Sequence, residues 1–118
     1  MKAHVTTLVA VLMGLTSSMA AKAVELPAND YPTYARADYV YACMQVNGQT
    51  PAVLDKCSCS IDAIAAILPF KKYEAAETVM SVRQRGGENA SMFRTHTPYL
   101  ELVNNLKRAQ VEGELRCF

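Results

Sequence analysis

The chain has 118 residues, with 12 Lys and Arg against 11 Asp and Glu, for a formal net charge of +1. That balance argues against nucleic-acid binding, which needs a basic face to neutralise phosphates. The length allows one domain, and the 4 cysteines raise the question of redox compartment at once.

Residues 1–23 carry the three parts of a cleavable export signal. Lys2 is the positive start, Val5 to Leu15 the apolar run, and Thr16 to Ala23 a small-residue stretch ending Ala21-Lys22-Ala23. Cleavage is placed after Ala23, with Ala20 the alternative, because Ser18-Met19-Ala20 also offers small residues. The apolar run is shorter than the ~20 residues of a membrane span. Cleavage removes Lys2 and Lys22 and no acidic residue, which brings the net charge to about −1. No later apolar stretch is long enough to span. The processed chain is therefore expected in the periplasm or secreted, away from the membrane. Residues 24–30 read as an extended arm containing Pro27, and 31–118 as a single helical domain.

The first helix is predicted from about Pro32 to Asn47. Tyr39, Val40, Cys43, Met44 and Asn47 recur at helical spacing, and Asn47-Gly48 stops it. The second opens at Thr50-Pro51, an N-cap residue followed by a proline that loses no hydrogen bond. Val53, Cys57, Ile61, Ile64 and Leu68 form its apolar stripe, and Pro69 ends it. The third runs from about Lys71 to Arg85, with Tyr73, Ala76, Val79 and Met80 inward, and Gly86-Gly87 closes it. Glu88 to His96 reads as a short helical turn around Met92 and Phe93. Thr97-Pro98 repeats the cap-plus-proline signal and opens the last helix, whose core face is Tyr99, Leu102, Val103 and Leu106, ending near Cys117. No period-two run of strand residues occurs. The expected fold is all-α: an irregular bundle of four to five helices stapled by two disulfides.

Cys43, Cys57, Cys59 and Cys117 all follow the export signal. A core this small is marginal by itself, and a disulfide contributes about 2–4 kcal/mol, mainly through the unfolded state. Cys57 and Cys59 point about 200° apart on one helix, so they do not bridge each other. Cys43 and Cys57 each centre an apolar face at similar height about the intervening turn. Cys59 lies among Ala52, Ala63 and Ala66 and faces the small stripe Ala109, Gly113, Cys117. The wheel favours Cys43–Cys57 with Cys59–Cys117. Cys43–Cys59 with Cys57–Cys117 stays open.

Few residues suggest chemistry. Cys57-Ser58-Cys59 beside Lys56 invites a thiol-redox reading, but the usual C-x-x-C is absent. Thiolates with Met44, Met80 or Met92 would suit Cu(I), although each methionine also fits an apolar position. Zinc lacks paired knuckles, and haem attachment lacks C-x-x-C-H. His96 reads as a capping-region residue. Asp55 and Asp62 read as a solvated face, and so do Lys71 and Lys72. Ser58 and Ser60 lie in nothing like a nucleophile elbow. No catalytic residue, cofactor or metal site is legible. Tyr31, Tyr34, Tyr39 and Tyr41 crowd the first helix. Tyrosine is favoured at interfaces, so Tyr31, Tyr34 and Tyr41 are the candidates for partner binding, with Tyr39 the one expected in the core.

Tyr39-Val40-Tyr41-Ala42-Cys43-Met44, Cys57-Ser58-Cys59-Ser60-Ile61-Asp62-Ala63-Ile64-Ala65, Gly86-Gly87-Glu88, Phe93-Arg94 and Arg116-Cys117-Phe118 together resemble a family. It comprises small four-cysteine exported proteins of proteobacteria associated with pyrroloquinoline-quinone-dependent alcohol dehydrogenases. The resemblance spans about Asp30 to Phe118 and implies a periplasmic accessory role beside a quinoprotein. It assigns no catalytic or binding residue. The reading is a non-enzymatic protein that binds another periplasmic protein. The alternatives are a thiol-redox or copper-handling protein using Cys57 and Cys59, and an inhibitor of a periplasmic enzyme.

Overall fold

The computed structural model describes residues 29–118. The expected export signal at 1–23, and the expected arm up to residue 28, lie outside the described residues. Five helices follow in order: α1 (Thr33–Asn47), α2 (Pro51–Ile67), α3 (Phe70–Arg85), α4 (Ala90–Thr95) and α5 (Thr97–Cys117). No strand occurs among the described residues, and the all-α expectation is met.

Local chemistry sets most boundaries. Gly48 ends α1 at φ 109, and its N–H donates to the Met44 carbonyl at 3.0 Å. Only glycine takes that conformation without steric cost. Thr50 caps α2, its Oγ1 accepting from the Val53 N–H at 3.2 Å, with Pro51 in the first turn. Gly86 and Gly87, at φ 74 and 96, end α3.

The start of α5 departs from the sequence reading. Thr97 is already helical, and the N-cap is His96, which makes no side-chain cap bond. The His96 carbonyl instead accepts from Tyr99 and Leu100, each at 3.1 Å. The shift runs against the local preference of proline. Proline disfavours the helical region for the residue before it without forbidding it, and Thr97 takes the helical state with Pro98 in the first turn.

The α2–α3 corner is held from a distance. Pro69 at the N-cap of α3 has no side-chain donor or acceptor to offer. Asp30 supplies the cap: its carboxylate accepts from the Phe70 N–H at 3.0 and 3.1 Å. An anion at a helix N-terminus is also favoured by the helix dipole. Beside it, the Tyr31 hydroxyl donates to the Leu68 carbonyl at 2.8 Å. Asn29 and Asp30, read as part of an extended arm, are thus part of the fold.

Helix α2 is central, packing on α1 and α5, while α3 packs on α5 and α4. Ile61, Ile64, Val103, Leu106 and Cys57 are completely enclosed, each large aliphatic contributing about 1.5–3 kcal/mol by leaving water. Tyr31, Tyr73 and Ala76 complete the core. Three ties between α1 and α2 run 36 to 62, 39 to 60 and 43 to 57. One number falls as the other rises, so the two helices are antiparallel. Arg83 Nε donates to the Phe93 carbonyl at 2.7 Å, and Arg94 to the Arg83 carbonyl at 2.9 Å, which fixes α4 against the end of α3.

Candidate functional site

The favoured disulfide pairing is the one present: Cys43–Cys57, with Cα atoms 5.9 Å apart, and Cys59–Cys117, at 5.8 Å. No cysteine is free. Cys57 is fully enclosed while Cys59 is exposed, as their opposite directions on α2 require. Helix α2 therefore ties α1 on one side and the end of α5 on the other.

These ties hold α1 close to α2 but not close to α3. Between α1, α3 and the last turns of α5 lies an open trough. Its larger part, about 610 Å³, has Ser60 and Tyr39 in its floor and Val46 and Phe118 on its walls. The Tyr39 hydroxyl and Ser60 Oγ share a hydrogen bond of 2.9 Å. A smaller depression of about 190 Å³ adjoins it, reaching Tyr34 and Phe70. Asp38, Tyr73 and Glu77 line both parts, which meet at these residues.

The electrostatics of the trough are one-signed. Asp38, Glu77 and Glu114 line the larger part and Glu74 the smaller, and no Lys, Arg or His lines either. Burial first, and the Asp38 carboxylate second, raise the Glu77 carboxyl above its ordinary value. Burial, followed by Glu77, pushes the Tyr73 hydroxyl well above the usual phenol range, so it remains a protonated donor. The two side-chain ion pairs among the described residues, Arg36–Asp62 and Arg116–Glu112, lie elsewhere.

The tyrosines divide. Tyr34 and Tyr41 are 66% and 67% exposed. Seven residues apart, they lie within about 20° of each other on α1. Tyr31 does not join them. It is 4% exposed and packs its ring 5.3 Å from Phe70 and 5.1 Å from Tyr73. Its place among partner-binding candidates is corrected: the chain turns just before α1 and lays this ring over the α2–α3 corner, where the Leu68 carbonyl satisfies its hydroxyl. Tyr39 is half-buried against the core, near the expected place.

The other residues weighed for chemistry are scattered. Met80 packs on the core, Met44 is half-buried, and Met92 is 51% exposed, so the last leaves the apolar position assigned to it. Asp62 is exposed, in keeping with a solvated face, and pairs with Arg36 at 2.9 Å. Among the described residues, no group of three or more His, Cys, Asp or Glu is arranged to hold a metal ion. No described helix is long and apolar enough to cross a membrane. The trough itself was missed. Its signal was present in Asp38, Glu74 and Glu77, but only the placement of α1 beside α3 brings them together. Comparisons with protein-family models, curated proteins and solved structures found no match.

Proposed function

We propose that this is an exported, disulfide-stapled accessory protein that binds another protein and carries out no reaction itself. The carrying observation is the exposed pair Tyr34 and Tyr41, large amphipathic rings on one face of α1. Exposed tyrosines present broad apolar area at low entropy cost and are favoured at interfaces. That all four cysteines are consumed in two disulfides supports an architectural role for them over thiol or copper chemistry, and suits an oxidising compartment. The resemblance to proteins found beside quinoprotein alcohol dehydrogenases makes a component of such an enzyme the first partner to test.

Site-specific photocrosslinking tests the reading. A photoreactive phenylalanine analogue at position 34 or 41 is expected to capture the same protein from the periplasm. The analogue at Leu100, in the first turn of α5, should capture nothing in common with them. If positions 34 and 41 yield no discrete adduct while the protein is folded and exported, partner binding through α1 is wrong.

A further inference from the structure

Helices α1 and α3 enclose a trough in which every charge is negative. Asp38, Glu77 and Glu114 lie in its larger part and Glu74 in the smaller. None of these four has an ion-pair partner among the described residues. Glu77 faces Asp38 from α1 and Tyr73 on its own helix. A half-buried carboxylate with a like charge beside it is unfavourable in the free protein, and a cation placed there relieves both the repulsion and the lost hydration.

The shape narrows the cation. The three carboxylates of the larger part do not converge to hold a metal; Asp38 and Glu77 face each other from α1 and α3, and Glu114 stands on α5. Its length along α1, from Tyr34 to Val46, is about 18 Å at 1.5 Å per residue. An extended chain covers that in roughly five or six residues. Apolar surfaces flank the charges: Tyr34 and Phe70 at one end, Val46 and Phe118 at the other. Val46 is 84% exposed. A cationic centre with apolar groups on both sides, over this length, is the chemistry of a polypeptide segment.

We infer that the trough between α1 and α3 is the docking site for an extended, cationic segment of a partner polypeptide, with lysine or arginine heads at Asp38, Glu77 and Glu114 and apolar side chains toward either end. This rests on the partner-binding reading above and assigns that partner its chemistry. Arginine would gain additionally by stacking on Tyr39 or Tyr73.

The test uses the intact disulfide-bonded protein and three probes: an eight-residue peptide alternating lysine and leucine, the same peptide with glutamate for lysine, and spermine. Amide chemical shifts report where each binds. The lysine peptide should shift Asp38, Ala42, Glu77 and Glu114 and bind at least tenfold more tightly than the glutamate peptide. Its affinity should weaken at least fivefold between low and high salt, since partly exposed charge pairs are screened. The D38N/E77Q double variant, which removes a repulsion and keeps the fold, should lose at least tenfold in affinity. Glu114→Gln, on a different helix, provides an independent loss. Three results would overturn the inference: shifts confined to another face, equal binding by spermine, or unchanged affinity in D38N/E77Q. If these occur while positions 34 and 41 still crosslink to a partner, the trough is not the site and partner binding stands. If the crosslinks fail and the lysine peptide still binds in the trough, the reverse holds.

Discussion

Gly113 of α5 lies against Ser60 of α2 so closely that a Cβ at position 113 would stand 2.6 Å from Ser60 Oγ and 3.0 Å from the Ser60 carbonyl oxygen. The small stripe Ala109, Gly113, Cys117 is thus a contact surface. It brings α5 near enough to α2 for the Cys59–Cys117 bridge, and it fixes Ser60, whose hydroxyl meets Tyr39 at 2.9 Å. One close approach links the α2–α5 seam to the floor of the trough.

Gly113→Ala should destabilise the protein by about 1–3 kcal/mol, the range for overpacking a filled interior. Ser60→Ala removes the nearer clash but not the carbonyl. The double variant should therefore lose less than the two single changes added together. Urea denaturation of the four proteins checks this, and strict additivity would show that Ser60 is not what Gly113 accommodates.

Limited reduction should open Cys59–Cys117 before Cys43–Cys57. Cys59 is exposed, while Cys57 is 0% exposed, and thiol–disulfide exchange needs access to a sulfur. Alkylation and mass mapping along a reductant titration reads the order. The Cys59–Cys117 bridge closes a separation of 58 residues against 14 for the other. By loop entropy its loss in C59A/C117A is worth about 4 kcal/mol.

Asp30→Ala should lower stability by about 0.5–2 kcal/mol, the usual cost of a lost N-cap. The effect should localise to the first turn of α3, where faster amide exchange at Phe70 reports it. Tyr31→Phe keeps the ring packing and removes only the bond to the Leu68 carbonyl, for about 0.5–1.5 kcal/mol. Tyr31→Ala should cost more, about 3–5 kcal/mol, by emptying a core position.

Glu77 predicts a pH dependence. Its carboxyl is raised above the ordinary 4.5 by burial and by Asp38. A carboxyl that holds its proton more tightly in the folded state stabilises fully below the unfolded value. That contribution is lost as pH rises through the higher folded value. Glu77→Gln mimics the protonated form at every pH. It should therefore be more stable than the parent at pH 7, with the difference vanishing as pH falls below about 4.5. Thermal melts of both proteins across pH 3–8 decide it; a constant difference would mean that Glu77 titrates alike folded and unfolded.

The helices are legible in the residues alone, and the cysteine pairing is narrowed there to two choices. Thr50-Pro51, Asn47-Gly48 and Gly86-Gly87 act within a few residues, so caps and left-handed glycines are set by local chemistry. The two directions of Cys57 and Cys59 follow from helical rotation alone, which rules out a bridge between them; of the two pairings left, the wheel favours the one present and keeps the other open. Where Tyr31 goes, what Asp30 and Asp62 bind, and that four separate carboxylates line one trough are matters of helix packing. Those outcomes depend on contacts between residues far apart in the chain, 37 for Tyr31 with Leu68 and 40 for Asp30 with Phe70. No periodicity encodes such distances; they arise from how helices pack once α2 is fixed between α1 and α5. The start of α5 shows the limit within a single element. Thr97 and His96 are both chemically able to stand before Pro98 at the helix boundary, and the path of the chain from α4 places the cap at His96.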